Sequence, residues 1–224
     1  MKIAIIGTGN VGQALAYGWT NKGHHVTFGS RNPTGEKAQA AVAATGGKVA
    51  VKREQEAVQS AEVVILAVPW EATESVVKGL GDLAGKVLID ATNPIGPGFQ
   101  LAVGKDSSGA ELVQQWATHA RVVKAFNSTG AENMHNPIYH GEPTTMFICG
   151  DEAAAKTVVK GLAEDLGFAV ADTGGLMTAR YLEPLAMLWI HLAIVQKQGR
   201  DIAFKLVHRE FPLQSALPVG VAAG

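Results

Sequence analysis

Residues 1–16 read MKIAIIGTGNVGQALA, and the fold is decided there. The apolar run Ile3 to Ile6 leads without a break into Gly7, Gly9 and Gly12, spaced G-x-G-x-x-G, and Asn10 opens a helix-like segment that reaches Asn21. After a strand, the first glycine permits a tight turn, the second lets the backbone approach a pyrophosphate, and the third lets helix pack on strand. An anion then rests on the positive end of the helix. The stretch therefore predicts a dinucleotide-binding unit.

Outward from it, short β-branched runs recur at Ile3 to Ile6, His25 to Phe28, Val63 to Val68, Val87 to Ile89, Arg121 to Ala125, Thr145 to Cys149 and Phe168 to Ala171. Helix-like segments alternate with most of them: Asn10 to Asn21, Gly35 to Ala44, Glu71 to Leu80, Ala110 to Thr118 and Asp151 to Leu166. Continuous apolar strands separated by helices indicate a mostly parallel sheet covered on both faces. The expected class is α/β, a Rossmann-type doubly wound sheet in one domain over 1–224, with a C-terminal helical segment, about 175–224, completing the cleft. Thr92 to Ser108, rich in Gly, Pro and Ser, reads as a loop rather than a domain linker, and the irregular segment Asn127 to Glu142 falls near the ligand edge of the sheet.

Composition limits the partners. The 224 residues carry a net charge of −1, which argues against a nucleic-acid or membrane-surface partner found by bulk charge. The single cysteine, Cys149, excludes an internal disulfide and fits a reducing cytoplasm. Residues 1–6 read as a strand rather than a signal peptide, and the near-apolar run Leu185 to Val195, interrupted by His191, is too short to span a bilayer. A cytoplasmic protein is expected. Within that run Leu185, Leu188, Trp189, Leu192 and Val195 make one apolar face at helical spacing, to be buried on the sheet or in a homo-oligomer. His191 reads as a core or interface histidine.

The stretch VTFGSRNP, 26–33, selects the cofactor. A fold that binds NAD expects an acid about 20 residues beyond the glycines to hold the ribose 2′-hydroxyl. No Asp or Glu occurs between Gly12 and Glu36; Ser30 and Arg31 stand there instead. The arginine fork pairs with a phosphate in two hydrogen bonds and Ser30 adds a hydroxyl, so the site suits the 2′-phosphate of NADP, with Lys37 adding charge.

Taken together, GTGNVG, GSR, AVPWEA (67–72), CGDEAAAKTVVKGLAEDLG (149–167) and DTGGL (172–176) resemble the NADPH:coenzyme F420 oxidoreductases over nearly the whole chain. More distantly they are similar to the reductase domain of the STEAP metalloreductases. The resemblance implies hydride transfer between NADP and a deazaflavin held beside a small C-terminal part, and a homo-oligomer. It also implies that Thr8, Asn10, Val11, Ser30 and Arg31 hold the adenosine side, with Val68, Pro69 and Trp70 by the nicotinamide.

One segment departs from that pattern: KAFNSTGAENMHNP, 124–137, is polar where the F420 enzymes are apolar and small, which leaves F420 and a flavin both open as acceptors. Ala125 and Asn127, like Asn93 and Pro94, either border the nicotinamide or form an ordinary turn after a strand. His135 and His140 lack a carboxylate or Cys at ligand spacing, so no metal site is expected. None of Tyr17, Tyr139 and Tyr181 is followed by Lys four residues on, and no catalytic acid or base is assigned. Two rival readings remain: an NADPH-dependent reductase of a small carbonyl or imine, and a non-catalytic NADP-sensing regulator.

Overall fold

The computed structural model describes residues 1–104 and 106–209. In chain order its elements are β1 (Lys2–Ile6), α1 (Asn10–Asn21), β2 (His25–Gly29), α2 (Glu36–Ala44), β3 (Ala50–Lys52), α3 (Glu54–Gln59), β4 (Val63–Leu66), α4 (Trp70–Gly79) and β5 (Val87–Asp90). A small hairpin, β6 (Ile95–Gly96) and β7 (Gln100–Leu101), precedes α5 (Gly109–Trp116) and β8 (Arg121–Lys124). A second hairpin, β9 (Ile138–Tyr139) and β10 (Glu142–Pro143), precedes β11 (Thr145–Gly150), α6 (Ala153–Asp165), β12 (Ala169–Asp172) and α7 (Ala179–Ile190), which ends in a π-helical turn, His191–Val195.

Eight strands form one sheet in the order β12-β11-β8-β5-β4-β1-β2-β3. From β1 the chain first steps to β2 and β3 on one side, then returns through β4 to β5 and β8 on the other, so β1 and β4 flank the topological switch point. Crevices that bind ligands lie there, beyond the carboxyl ends of the strands. The pairings from β3 across to β8 are parallel, while β11 runs antiparallel to β8.

The period of two along the strands sorts the core into two layers. Ile3, Ile5, Phe28, Ile65 and Ile89 pack with Trp19 of α1 and Leu162 of α6, whereas Ala4, Ile6, Val64, Leu66 and Leu88 pack with Val77 of α4 and Val113 of α5. A fully buried side chain of this kind contributes roughly 1.5–3 kcal/mol. Trp19 Nε1 donates to Leu162 O at 2.8 Å and joins the first and sixth helices.

The sequence expectation omits β3 and α3, because a three-residue edge strand, AVK, has too little apolar content to register as a run. β4 is also shorter than the expected Val63 to Val68: it stops at Leu66, and Ala67 to Pro69 turn away. The C-terminal part is helical only to Val195. Residues 196–209 form an irregular strap instead, tied to β11 by Thr145 N to Phe204 O at 3.0 Å and Leu206 N to Thr145 Oγ1 at 2.9 Å. The remainder of the expected helical segment, 210–224, lies outside the described residues. The apolar face is divided too: Trp189 is buried along a line with Leu182, Ala186 and Ala193, while Leu188 and Val195 are 48% and 50% exposed. His191 is exposed and bonded to Gln196, not buried as expected of a core histidine.

Candidate functional site

The glycine turn is forced by crowding at the switch point. Gly7 has φ +116°, and a Cβ on it would stand 2.2 Å from Ala67 O, so only glycine passes between the ends of β1 and β4. Gly12 is buried, and its Cβ would meet Gly7 O at 2.4 Å, which brings α1 onto the turn. Gln13 Nε2 donates to Thr8 O at 2.8 Å and fixes the loop from the helix side. A Cβ on Gly9, by contrast, would meet nothing within 4 Å. Gly9 caps α1 with no side-chain hydrogen bond, and no acidic residue occupies the first turn. The first N–H groups of α1 are thus left for an anion.

A cavity of about 490 Å³ opens over this turn, lined by Gly7, Thr8, Gly9, Ser30, Arg31, Lys37, Val68 and Pro69 among others. Ser30 Oγ accepts from Asn32 N at 3.2 Å, which curls the chain after β2 and leaves the Arg31 side chain exposed at the rim. A second cavity, about 700 Å³, shares Gly9, Ala67, Val68 and Pro69 with the first and continues past Asn10, Val11, Trp70 and Asn93 to Arg200. The two form one cleft. Its first half has a cationic rim and its second half broader apolar walls, the division of polarity that a dinucleotide demands. Trp70, the first residue of α4 after Pro69, is held by Trp116 with ring centroids 5.7 Å apart.

Four expected residues do not line the cleft. Gly12 works from behind, as described. Pro94 is buried against the start of α5, where a Cβ on Gly109 would lie 3.3 Å from its Cγ. Ala125 is fully buried, and Asn127, 4% exposed, acts through Asn93: Asn93 Nδ2 donates to Asn127 O at 2.9 Å, and Asn127 Nδ2 to Asn93 Oδ1 at 3.2 Å and Leu182 O at 3.0 Å. Asn127 Oδ1 is buried with no hydrogen-bond partner among the described residues. Phe126 between them takes φ +62°, a strained value for a bulky side chain, with its ring packed edge-on to Trp19. That left-handed turn aims Asn127 back at Asn93.

Beneath the second half lies a charged cluster that the sequence reading does not assign. Lys124, at the end of β8 and fully buried, donates to Asp90 Oδ2 at 2.8 Å and Thr92 O at 2.7 Å, and pairs with Glu183 Oε1 at 3.0 Å. Asp90 Oδ1 also accepts from Thr92 N and Thr92 Oγ1, and Glu183 accepts from Gly109 N and Ala110 N at the start of α5. Every contact to either carboxyl comes from a donor, the pattern of two carboxylates. Burial opposes the ammonium charge, but the attraction of Asp90 and Glu183 outweighs it and raises the lysine above its ordinary pKa. Thr92, which lines the cleft, is thereby clamped on both sides. The signal was present in VLIDATNP and RVVKAFN, where neighbouring apolar strands close on opposite charges.

Other residues enter the cleft from unexpected elements. Arg200, carried by the strap, bonds Glu132 Oε1 through Nε at 2.5 Å and lies 5.7 Å from the centroid of the Trp189 ring. Glu54, the first residue of α3, lines the first cavity. Cys149 is buried, and burial pushes its thiol up to about 11, as befits a packing residue rather than a nucleophile. Among the described residues, no group of His, Cys, Asp or Glu is arranged to hold a metal ion, and no helix is long and apolar enough to cross a membrane.

Comparison with known proteins gives a consistent result. Residues 2–94 match the family described as NADP oxidoreductase, coenzyme F420-dependent. The F420-dependent NADP reductase of Methanocaldococcus jannaschii is 32% identical over 219 residues, which are 88% of this chain and 94% of that protein. A solved structure from Arthrobacter sp. FB24, assigned as an F420-dependent NADP-reductase, superposes with a TM-score of 0.85 at 30% identity, covering 93% of this chain and all of that one. Rat metalloreductase STEAP3 is 34% identical over 189 residues, 84% of this chain, which spans only 37% of that protein's length.

Proposed function

We propose, from the premise that the chain belongs to the family of coenzyme F420-dependent NADP oxidoreductases, that its cleft passes a hydride between NADP(H) and a second redox ring, F420 or a flavin. An NADP-dependent oxidoreductase is what the family establishes; the ring acceptor is our reading. The observation that carries it is the continuity of the two cavities through Gly9, Ala67, Val68 and Pro69. The open space at Gly9, the uncapped start of α1 and the Ser30, Arg31 and Lys37 rim suit a dinucleotide bearing a 2′-phosphate. The nicotinamide would then reach Val68, Pro69 and Trp70, with Asn93 at the edge of the second cavity.

When bound, NADPH supplies the hydride. The contribution of the chain itself is orientation: Pro69 and Trp70 give a rigid apolar wall, and Thr92 and Asn93 are immobilised by the Lys124 cluster and by Asn127. Holding reacting faces together in this way lowers a barrier by several kcal/mol without a proton-transfer group. No side chain lining the cleft is assigned as acid or base. In our reading the chain works in a reducing cytoplasm as a homo-oligomer, with exposed Tyr181 and Leu188 of α7, Met177 just before it and Val195 in the turn that ends it against a second copy.

The test is NADPH oxidation by the purified full chain with F420, FMN, FAD or a ferric chelate as acceptor. Turnover with F420 or a flavin supports the reading. Turnover confined to a small carbonyl or imine would move the assignment to that chemistry, and tight NADPH binding without any turnover would make the chain a sensor.

A further inference from the structure

We propose that Glu54 tunes the cofactor preference of the adenosine half of the cleft, opposing a 2′-phosphate and favouring an unphosphorylated ribose. The inference deepens the reading of the first cavity as the NADP(H) adenosine site and rests on it.

The missing acid after β2 is only missing locally. In the parallel pairing of β2 with β3, Gly29 lies opposite Lys52, and Ser30 N donates to Lys52 O at 2.9 Å. Two residues further along each chain stand Arg31 and Glu54. A Cβ on Gly29 would lie 3.2 Å from Glu54 Cα, so the start of α3 presses against the end of β2 because Gly29 has no side chain. Arg31 and Glu54 consequently line the same cavity, with Thr8, Ser30, Asn32, Glu36 and Lys37 as its other polar or charged walls. Glu54 is partly buried, and no hydrogen bond from another side chain holds its carboxyl among the described residues. Burial pushes that carboxyl above the ordinary range, while the nearby charge of Arg31 pulls it back.

Two nucleotides meet this arrangement differently. A 2′-phosphate brings its negative charge to Arg31 and must share the cavity with the like charge of Glu54. An unphosphorylated ribose offers hydroxyl donors, which a carboxylate accepts, and leaves Arg31 free to compensate Glu54. Preference for NADPH is therefore the difference between attraction by Arg31 and repulsion by Glu54, not the product of an arginine alone.

The experiment measures dissociation constants of NADPH and NADH for wild type, Glu54→Gln and Glu54→Ala, each as the full chain, at low and high salt. Removing the like charge should tighten NADPH about tenfold and weaken NADH, with the NADPH gain shrinking as salt screens it. Both variants should behave alike if charge is the cause. A ratio of the two constants within about twofold of wild type, or equal weakening of both nucleotides, the scale below one charge contact, would overturn the inference while leaving the site intact. A wild-type chain that binds neither nucleotide would instead overturn the adenosine-site reading and the inference with it.

Discussion

Lys124 Nζ lies 2.8 Å from Asp90 Oδ2 across two neighbouring strands, and neither side chain has any exposed surface. Glu183 closes the group from α7, so two carboxylates and one ammonium occupy the sheet end directly under the cleft. Taking such ions from water costs several kcal/mol each, and only complete hydrogen bonding offsets it. Here the three lysine protons and the accepting oxygens all have partners.

Replacing Lys124 by Met should therefore destabilise the chain by about 3–5 kcal/mol, because two buried carboxylates then face each other without a cation. Adding Glu183→Gln to that variant should recover part of the loss. Urea unfolding of the single and double variants measures both effects, and a loss under about 1 kcal/mol would show that water reaches the cluster.

The turn glycines should separate folding from binding. Gly7→Ala should cost about 1–3 kcal/mol for backbone conformation alone, before the contact with Ala67 O is added. Gly9→Ala should keep stability within about 0.5 kcal/mol yet weaken NADPH about tenfold or more, since the new methyl group enters the space proposed for the pyrophosphate. Calorimetric unfolding and nucleotide titration of the pair decide it; an undiminished affinity in Gly9→Ala would place the pyrophosphate elsewhere.

Arg31→Ala should weaken NADPH by about 1–3 kcal/mol, the scale of a charge-assisted hydrogen bond, and leave NADH nearly unchanged. The decisive comparison is between the two nucleotides under identical salt. Equal losses would mean that Arg31 contacts something common to both.

Glu111 gives a pH signature. Arg180 bonds its two oxygens at 2.9 and 2.7 Å, joining α5 to α7, and this pairing, against the effect of burial, holds the carboxyl below its ordinary range. A depressed folded-state pKa contributes stability above the ordinary glutamate value, and that contribution is lost as pH falls through the folded value. Arg180→Ala should thus unfold at a lower temperature than wild type at neutral pH, with the gap closing in acid. Melting curves across that range check the sign; a gap that widens in acid contradicts it.

Much of the α/β plan is legible because the strands that set it are buried on both faces and leave unbroken apolar runs, as in Val63 to Leu66. What is not legible falls where tertiary contact replaces local pattern. β3 is recognisable only from its pairing with β2, since AVK carries no run of its own. Glu54 is invisible as a site residue for the same reason. Ala125 sits at the right strand end, but the fully buried position takes it behind the wall rather than into it. The strap reads as a continuation of α7 because its apolar residues, Ile202, Ala203, Phe204, Leu206 and Val207, carry no mark that distinguishes a helix from a segment crossing the sheet end.

Light scattering of dilute protein should give a mass above that of one chain, and Leu188→Glu should return it to a monomer, because a charge on that exposed line opposes burial against a second copy. A monomer in the wild type would remove the oligomer from the proposal.

The strap also bears on how the site is inherited. The first cavity is lined entirely by residues between Gly7 and Pro69, whereas the second draws in Ala131 and Arg200 from late in the chain. On the proposed reading, a lineage can therefore rewrite the acceptor by substitution in distal segments while the half proposed for the nucleotide is handed down intact. Divergence in acceptor should accumulate at Ala131 and Arg200 sooner than at the glycine turn.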